Sequence, residues 1–313
     1  MHVLLYRVLP FLLYVALPCF FLIQMWFNHT TSLGKWILQA ALAGLYIFDL
    51  FLIGLWPIYC GYFVRYFLML LLVIVLIKSS FNIEKDFFYK LSLKSILFSF
   101  VYLSLICFFS YRIFLNLNGS NYSNPVELSF PLKDGNFYMA HGGTNEAVNH
   151  HYSVPAQKYA IDILRINALG LRANKWYPKD LNDFCIFGST IYSPCDGTIV
   201  ELLDQCEDLE PMIMDVKNPA GNYLAIHKSE SEIIIFLAHL MKGSLLVKKG
   251  DMVKKGQPIG RVGNSGHTSE PHLHIHAVLN HTGDLLFKGE GVPITFDQRF
   301  FVRNDLARFH GCN

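Results

Sequence analysis

The stretch His272-Leu273-His274-Ile275-His276 places a histidine at every second position near the end of this 313-residue chain. Side chains at positions i, i+2 and i+4 of a β-strand point to the same face of the sheet. Imidazole is the commonest neutral metal ligand and the usual general acid or base near pH 7. The pattern therefore predicts a strand with a metal or catalytic site on one face, reached through the glycine-punctuated segment 260–271.

Further strands are predicted upstream, where short aliphatic runs alternate with Gly and Asp turns. This pattern predicts a mostly-β domain, as a sheet or a barrel-like sandwich. We expect no long amphipathic helix after residue 130, and the absence of a Gly-rich phosphate loop argues against a nucleotide enzyme. The predicted strands are 198–203, 222–227, 232–237, 257–262 and 272–279.

The first third of the chain has a different composition. Hydrophobic residues make up 52% of the chain and are concentrated before about residue 115. Because about 20 apolar residues are needed to cross a bilayer, we predict a transmembrane helical domain over 1–117 and a second domain over 118–313. The net charge of +2 gives no sign of a nucleic-acid partner. The four predicted spans are 9–27, 36–56, 62–77 and 96–114.

The orientation of these spans follows from the basic residues in the connecting loops. Lys78, Lys85, Lys90 and Lys94 lie between the third and fourth predicted spans. Because cytoplasmic loops are enriched in Lys and Arg, this loop is expected in the cytoplasm. The fourth span then runs outward, which predicts a multi-pass protein of the plasma (inner) membrane with its second domain outside the cytoplasm.

Two ionisable residues fall within or near these spans. Asp49 and Arg65 lie at equal distances on either side of Pro57, and we expect them to form a structural ion pair at similar depth. Intramembrane charges also occur in transport pathways, so a transporter or sensor with a β accessory domain is a further hypothesis.

The second domain carries a set of motifs whose order and spacing resemble peptidase family M23, the zinc metallopeptidases of lysostaphin and LytM type. The likeness covers roughly residues 135–285. Its pieces are Tyr192-Ser193-Pro194-Cys195-Asp196-Gly197-Thr198-Ile199-Val200, Gly221-Asn222-Tyr223-Leu224-Ala225-Ile226, Leu237-Ala238-His239-Leu240, the segment 247–260, Gly263-Asn264-Ser265-Gly266 and His272-Leu273-His274.

The resemblance implies an antiparallel β LytM fold with a groove that holds one Zn²⁺. Its metal ligands include an Asp and the second His of His-x-His, which match Asp162 and His274. The remaining family histidines match His239 and His272, which would transfer a proton or stabilise the oxyanion. Which of the two does which is left open. The implied substrates are the peptides of bacterial peptidoglycan.

One position departs from the family pattern. The first metal ligand of the family lies four residues before the Asp, where this chain has Lys158, and a protonated lysine cannot bind zinc. His151 is the predicted replacement. The chain resembles a divergent branch of M23-like membrane proteins with an Asn-x-His segment, through Asn149, His151, Gln157, Lys158, Tyr159, Ala160 and Asp162. The alternatives to His151 as the third metal ligand, beside Asp162 and His274, are His150, His276 and His141.

These residues lead to two main functional hypotheses. The first is a membrane-anchored zinc endopeptidase that hydrolyses peptide bonds of peptidoglycan. The second, motivated by Lys158, is a non-catalytic module that binds the cell wall or regulates wall hydrolases.

The cysteines of the second domain lead to a separate expectation. An exported domain with four cysteines permits disulfides. Cys195 and Cys206 are close enough in sequence for a disulfide between them to join neighbouring strands. The four are Cys185, Cys195, Cys206 and Cys312.

Overall fold

The computed structural model describes residues 8–27, 31–84, 92–279 and 288–309. The chain divides into two compact units, Met1–Leu117 and Asn118–Asn313. The helices of the first unit are α1 (Val8–Phe27, with a π-helical segment Leu12–Ala16), α2 (Leu33–Ile53), α3 (Trp56–Tyr59), α4 (Val64–Ser80) and α5 (Leu93–Leu117). Two short strands, β1 (Thr31–Ser32) and β2 (Ile83–Glu84), pair in parallel.

Three helices of the described residues, α1, α2 and α5, are long and apolar enough to cross a membrane. The prediction of four spans is therefore wrong in number. The predicted third span forms α4, which has 17 residues. Its length is about 25 Å at about 1.5 Å per residue, less than the hydrocarbon core of about 30 Å. Lys85 and Lys90 of the basic loop lie outside the described residues.

The expected ion pair between Asp49 and Arg65 is also wrong. The carboxylate of Asp49 on α2 pairs with Arg112 of α5, with Oδ2 and Nη2 3.2 Å apart. Arg65 lies in the first turn of α4 and donates to the hydroxyl of Tyr62 over 2.7 Å. Its guanidinium lies 4.4 Å from the centre of the Phe51 ring. Arg65, which the linear spacing paired with Asp49, therefore contacts aromatic side chains of α2 and of the turn before α4 instead.

The second unit is mostly β. Its strands are β3 (Val126–Leu128), β4 (Gly135–His141), β5 (Ile161–Ile166), β6 (Thr190–Tyr192), β7 (Gly197–Leu203), β8 (Asn222–Lys228), β9 (Ile233–Leu240), β10 (Met252–Val253), β11 (Pro258–Arg261), β12 (Leu273–Leu279), β13 (Glu290–Val292), β14 (Ile294–Phe296) and β15 (Leu306–Phe309). Eight of these strands form one sheet in the order β10-β7-β8-β9-β12-β5-β4-β15, and β13 pairs with β12. All pairings in this sheet are antiparallel.

The five strands predicted from sequence are present as β7, β8, β9, β11 and β12. Two pairs lie outside the large sheet: β6 with β11, which is antiparallel, and β3 with β14, which is parallel. The helices described in this unit are short 3₁₀ segments, His150–Ser153, Pro155–Gln157 and Leu181–Asp183. The prediction of an antiparallel, mostly-β domain is therefore confirmed, with one parallel pair as an exception.

The two faces of the central strands have different chemistry. On β12, Leu273 and Ile275 enter the main hydrophobic core, together with Ile161 and Ile163 of β5. Since side chains alternate along a strand, the intervening residues His274, His276 and Asp162 occupy the opposite face. Burial of the apolar face in the core thereby fixes the register that places histidines and a carboxylate together on the other side.

The expected disulfide between Cys195 and Cys206 does not form, because both residues are free thiols. They lie beyond opposite ends of the same strand, β7, whose seven residues separate them by about 20 Å at about 3.3 Å per residue. Cys185 is also free, and Cys312 lies outside the described residues.

Candidate metal centre

The carboxylate of Asp162 is the centre of a group of histidines. Its Oδ2 lies 2.9 Å from Nε2 of His151, and its Oδ1 lies 3.0 Å from Nδ1 of His274. Nε2 of His272 is 3.6 Å from the same Oδ1. One ligand atom each from His151, Asp162 and His274 lie within 4.8 Å of one another, so this trio could hold a metal ion.

The strand register produces two of these contacts. His274 of β12 pairs directly with Asp162 of β5 on one side and with Ala238 of β9 on the other. Directly opposite side chains lie on the same face of the sheet, about 5 Å apart at their Cβ atoms. Both His274 and Asp162 are buried. The small side chain of Ala238 leaves space over the pair and lines a cleft of ≈ 220 Å³ together with His151, His239 and His274.

The third member of the trio comes from a turn upstream of β5, in the 3₁₀ segment His150–Ser153. Asn149 caps this segment by accepting a hydrogen bond from the backbone N–H of His151. The amide nitrogen of Asn149 donates to the carbonyls of Gly143, Lys158 and Ala160, and the side chain is fully buried. Hydrogen bonds of Asn149 therefore connect two parts of the chain: the turn that contains His151, and the backbone that precedes Asp162.

Lys158 takes no part in this group. Its ammonium lies 4.9 Å from the centre of the Tyr152 ring and 5.4 Å from that of Tyr159. The residue that stands at the position of the family's first ligand thus packs on two aromatic rings.

The pKa shifts of Asp162 and His274 suit metal binding. Burial raises the pKa of the Asp162 carboxyl, but the neighbouring imidazoles of His151 and His272 and the hydrogen bonds from His151 and His274 outweigh it, holding this pKa well below its usual range. Burial lowers the pKa of His274 to about 4. An ionised carboxylate and a neutral imidazole are the forms that metal ligands require, and two imidazoles with one carboxylate make a donor set that zinc accepts.

A second group, His141, His150 and Asp162, also brings potential ligand atoms within 4.8 Å of one another. Its chemistry is less suitable, because Nη2 of Arg303 lies 3.0 Å from Nδ1 and 3.3 Å from Nε2 of His141. The guanidinium places a permanent positive charge against one of the ligands. The trio of His151, Asp162 and His274 has no arginine in such contact among the described residues.

His239 reaches the same face through a break in strand alternation. Leu237 and Leu240 of β9 enter the core and Ala238 faces the cleft, so regular alternation would send His239 into the core. Its backbone is instead left-handed, with φ of 62°. Its ring centre lies 4.7 Å from that of His272 and 6.0 Å from that of His274. Such backbone conformations are uncommon outside glycine and cluster at functional sites.

Backbone carbonyls orient both His239 and His272. Nδ1 of His239 lies 2.9 Å from the carbonyl of Ser265, and Nδ1 of His272 lies 2.9 Å from the carbonyl of Glu270. Because a carbonyl can only accept, each imidazole carries a proton on Nδ1, and in its neutral form Nε2 is a bare acceptor. Burial, and next the proximity of His272, holds the pKa of His239 well below its usual value.

Glycine at position 221 allows the Ser265 carbonyl to approach. Gly221 has φ of +59°, and a Cβ there would lie 2.3 Å from the backbone carbon and oxygen of Ser265. A larger residue at this position would displace the segment that orients His239.

The residues predicted from sequence therefore meet as follows. The structure brings together His151, Asp162 and His274 as potential ligands, with His239 and His272 beside them. His276 contacts the other ring nitrogen of His274: Nδ1 of His276 lies 2.9 Å from Nε2 of His274. Sequence reasoning did not identify the anchoring roles of Ser265 and Glu270. Ser265 lies within the Gly-Asn-Ser-Gly motif, which was a signal for it.

Comparison with known proteins gives a family match for part of this unit. The model of Peptidase family M23 matches residues 183–284. That range includes His239, His272 and His274, whereas His151 and Asp162 lie before it.

Two curated relatives come from Vibrio cholerae. Peptidoglycan DD-endopeptidase ShyA is 31% identical over 153 residues, which are 47% of this chain and 31% of that protein. Peptidoglycan DD-endopeptidase ShyB is 27% identical over 165 residues, which are 48% of this chain and 32% of that protein. The chain thus spans about a third of the length of each of these two relatives.

Among solved structures, a zinc-containing peptidase from Vibrio cholerae is 23% identical, with a TM-score of 0.32 over 54% of this chain and 41% of that one. A TM-score this low adds nothing to the sequence match. The family model and the curated relatives agree: residues 183–284 of the C-terminal unit match peptidase family M23.

Proposed function

We propose that this protein is a membrane-anchored zinc metalloendopeptidase that hydrolyses peptide bonds of bacterial peptidoglycan. The observation that carries the proposal is the convergence of His151, Asp162 and His274 within 4.8 Å. In this proposal these three residues hold the zinc ion, and His151 replaces the ligand that Lys158 cannot provide.

A bound zinc ion would supply Lewis-acid chemistry, activating water and polarising the peptide carbonyl. The protein's own side chains would accept and donate protons beside the metal ion. The neutral imidazole of His239 offers a bare Nε2, which can accept a proton from water. His239 can stabilise an oxyanion only after that proton has been taken up, because its other nitrogen is already bonded to Ser265.

His272 has the same arrangement and is more accessible: its side chain is 16% exposed, against 4% for His274. A partly exposed imidazole that can take and release a proton at Nε2 suits delivery of a proton to the leaving amine. His272 and His239 therefore form a pair of proton carriers beside the metal ligands.

The substrate class is proposed from the relatives, which are peptidoglycan DD-endopeptidases. The cross-linking peptides of the cell wall lie outside the cytoplasm. Three apolar helices precede the domain, and the lysines before α5 favour a cytoplasmic start for this last helix. Both features support an anchored enzyme whose C-terminal unit faces the wall.

The test is digestion of purified peptidoglycan sacculi by the zinc-loaded full chain in detergent. We expect mass spectrometry to detect new peptide amines, with cross-linked muropeptides as the most direct substrates. Asp162→Asn should abolish the products, and His227→Leu, a histidine change on β8, is the matched control. Zinc-loaded wild type that binds sacculi but releases no product would contradict the proposal and favour the non-catalytic wall-binding module.

A further inference from the structure

His276 is a histidine of the opening pattern that the proposed chemistry leaves without a role. It is buried on β12, with 1% of its surface exposed. Its ring lies 5.1 Å from that of Phe236 and 5.1 Å from that of His274. Its Nδ1 lies 2.9 Å from Nε2 of His274.

The two nitrogens of His274 face different partners. Nδ1 faces Oδ1 of Asp162 over 3.0 Å, and Nε2 faces His276. If Nδ1 gives its lone pair to a metal, the single proton of the neutral ring must be on Nε2. Nδ1 of His276 is then the acceptor of that proton. Metal-binding histidines almost always donate their other N–H in this way, which fixes the tautomer and the ring orientation.

We propose that His276 is a positioning residue that holds His274 in the tautomer with Nδ1 free for the metal. The inference rests on the proposed zinc site, but it concerns a residue outside the trio of ligands. An imidazole acts here in the place that a carboxylate or a backbone carbonyl usually takes.

The second nitrogen of His276 shows that apolar packing does not account for a histidine at this position. To accept at Nδ1, a neutral His276 must carry its own proton on Nε2, and that nitrogen is buried with no hydrogen-bond partner among the described residues. A buried polar group without a partner is costly. A leucine would fill an apolar site beside Phe236 without this cost, so packing alone does not explain the histidine.

The first test is zinc affinity of the full chain in detergent, measured by competition with a chromophoric chelator. His276→Leu removes the acceptor and should weaken zinc binding by about 10- to 100-fold. His276→Asn keeps an acceptor near the position of Nδ1 and should restore part of the affinity. His227→Leu should bind zinc as the wild type does. Zinc affinity of His276→Leu within about threefold of wild type would overturn the proposal.

The second test uses only the wild type, so it can be carried out even if the His276→Leu variant does not fold. Long-range ¹H–¹⁵N spectra of the zinc-loaded wild type report which nitrogen of His274 carries the proton. We expect a proton on Nε2 and metal on Nδ1. The opposite tautomer would overturn the role of His276 while leaving the zinc site intact, whereas a wild type that takes up no zinc would overturn both.

Discussion

The substitution Asn149→Ala tests how the chain brings His151 to Asp162. The side chain of Asn149 is fully buried, accepts one hydrogen bond from His151 and donates to three backbone carbonyls. Its two N–H groups can make about two full bonds to those carbonyls, so about three bonds are lost in total. At about 1 kcal/mol for each bond, the loss is about 3 kcal/mol, which corresponds to about two orders of magnitude in an equilibrium constant.

Hydrogen–deuterium exchange of the chelator-treated full chain in detergent measures this loss where it occurs. Local opening of the segment 145–162 should become easier, so its protected amides should exchange about 100-fold faster at an unchanged intrinsic rate. Peptides from β8 should change much less. Zinc affinity should fall as well, because His151 would no longer be held against Asp162.

Two further variants make the test specific. Asn149→Asp keeps the acceptor for His151 but sets a carboxylate against three carbonyl oxygens, so it should be at least as disruptive as alanine. Asn182→Ala removes an exposed amide that bonds only to Asp180 in the contacts described, and its effect should stay within about 0.5 kcal/mol. If the amides of residues 145–162 exchange in Asn149→Ala at the same rate as in the wild type, the reasoning is refuted.

Three other changes have defined outcomes. Lys158→Ala should leave zinc content and peptidoglycan hydrolysis unchanged, because the side chain packs on tyrosine rings away from the trio; a loss of zinc would contradict this placement. Thr268→Val removes the hydroxyl 3.1 Å from Nδ1 of His272 and should lower kcat about 10-fold with zinc retained, measured on cross-linked muropeptides. In the chelator-treated chain, burial lowers the pKa of His274 to about 4, whereas an unfolded chain titrates near about 6.5. The unfolded state then binds more protons between these values, so the free energy of unfolding should fall as the pH falls from about 6.5 to about 4, and His274→Gln should reduce that slope in denaturant titrations.

Much of the β domain could be predicted from local patterns. The alternation in 272–279 gives both the strand and its polar face, because a strand has a period of two residues. The same rule failed at His239, where a left-handed backbone turns the side chain out of the alternation. Only the family resemblance placed that residue at the site.

The long-range contacts could not be read from linear spacing. Asp49 and Arg65 lie at equal distances from Pro57 in sequence, yet Asp49 pairs with Arg112 on α5. This pairing depends on how α2 and α5 pack against each other, which linear spacing does not report. Cys195 and Cys206 are close in sequence but lie beyond opposite ends of one strand. In the same way, the contact between His151 and Asp162 depends on the buried amide of Asn149, whose partners are known only once the turn has folded.

Zinc content of the purified full chain, measured by elemental analysis after metal loading and removal of excess metal, tests the central claim most directly. We predict one zinc ion per chain in the wild type and in Lys158→Ala, and loss of that zinc in both His151→Ala and His274→Ala. Retention of zinc in His151→Ala would contradict the assignment of the third ligand, and a wild type that takes up no zinc would contradict the metallopeptidase account as a whole.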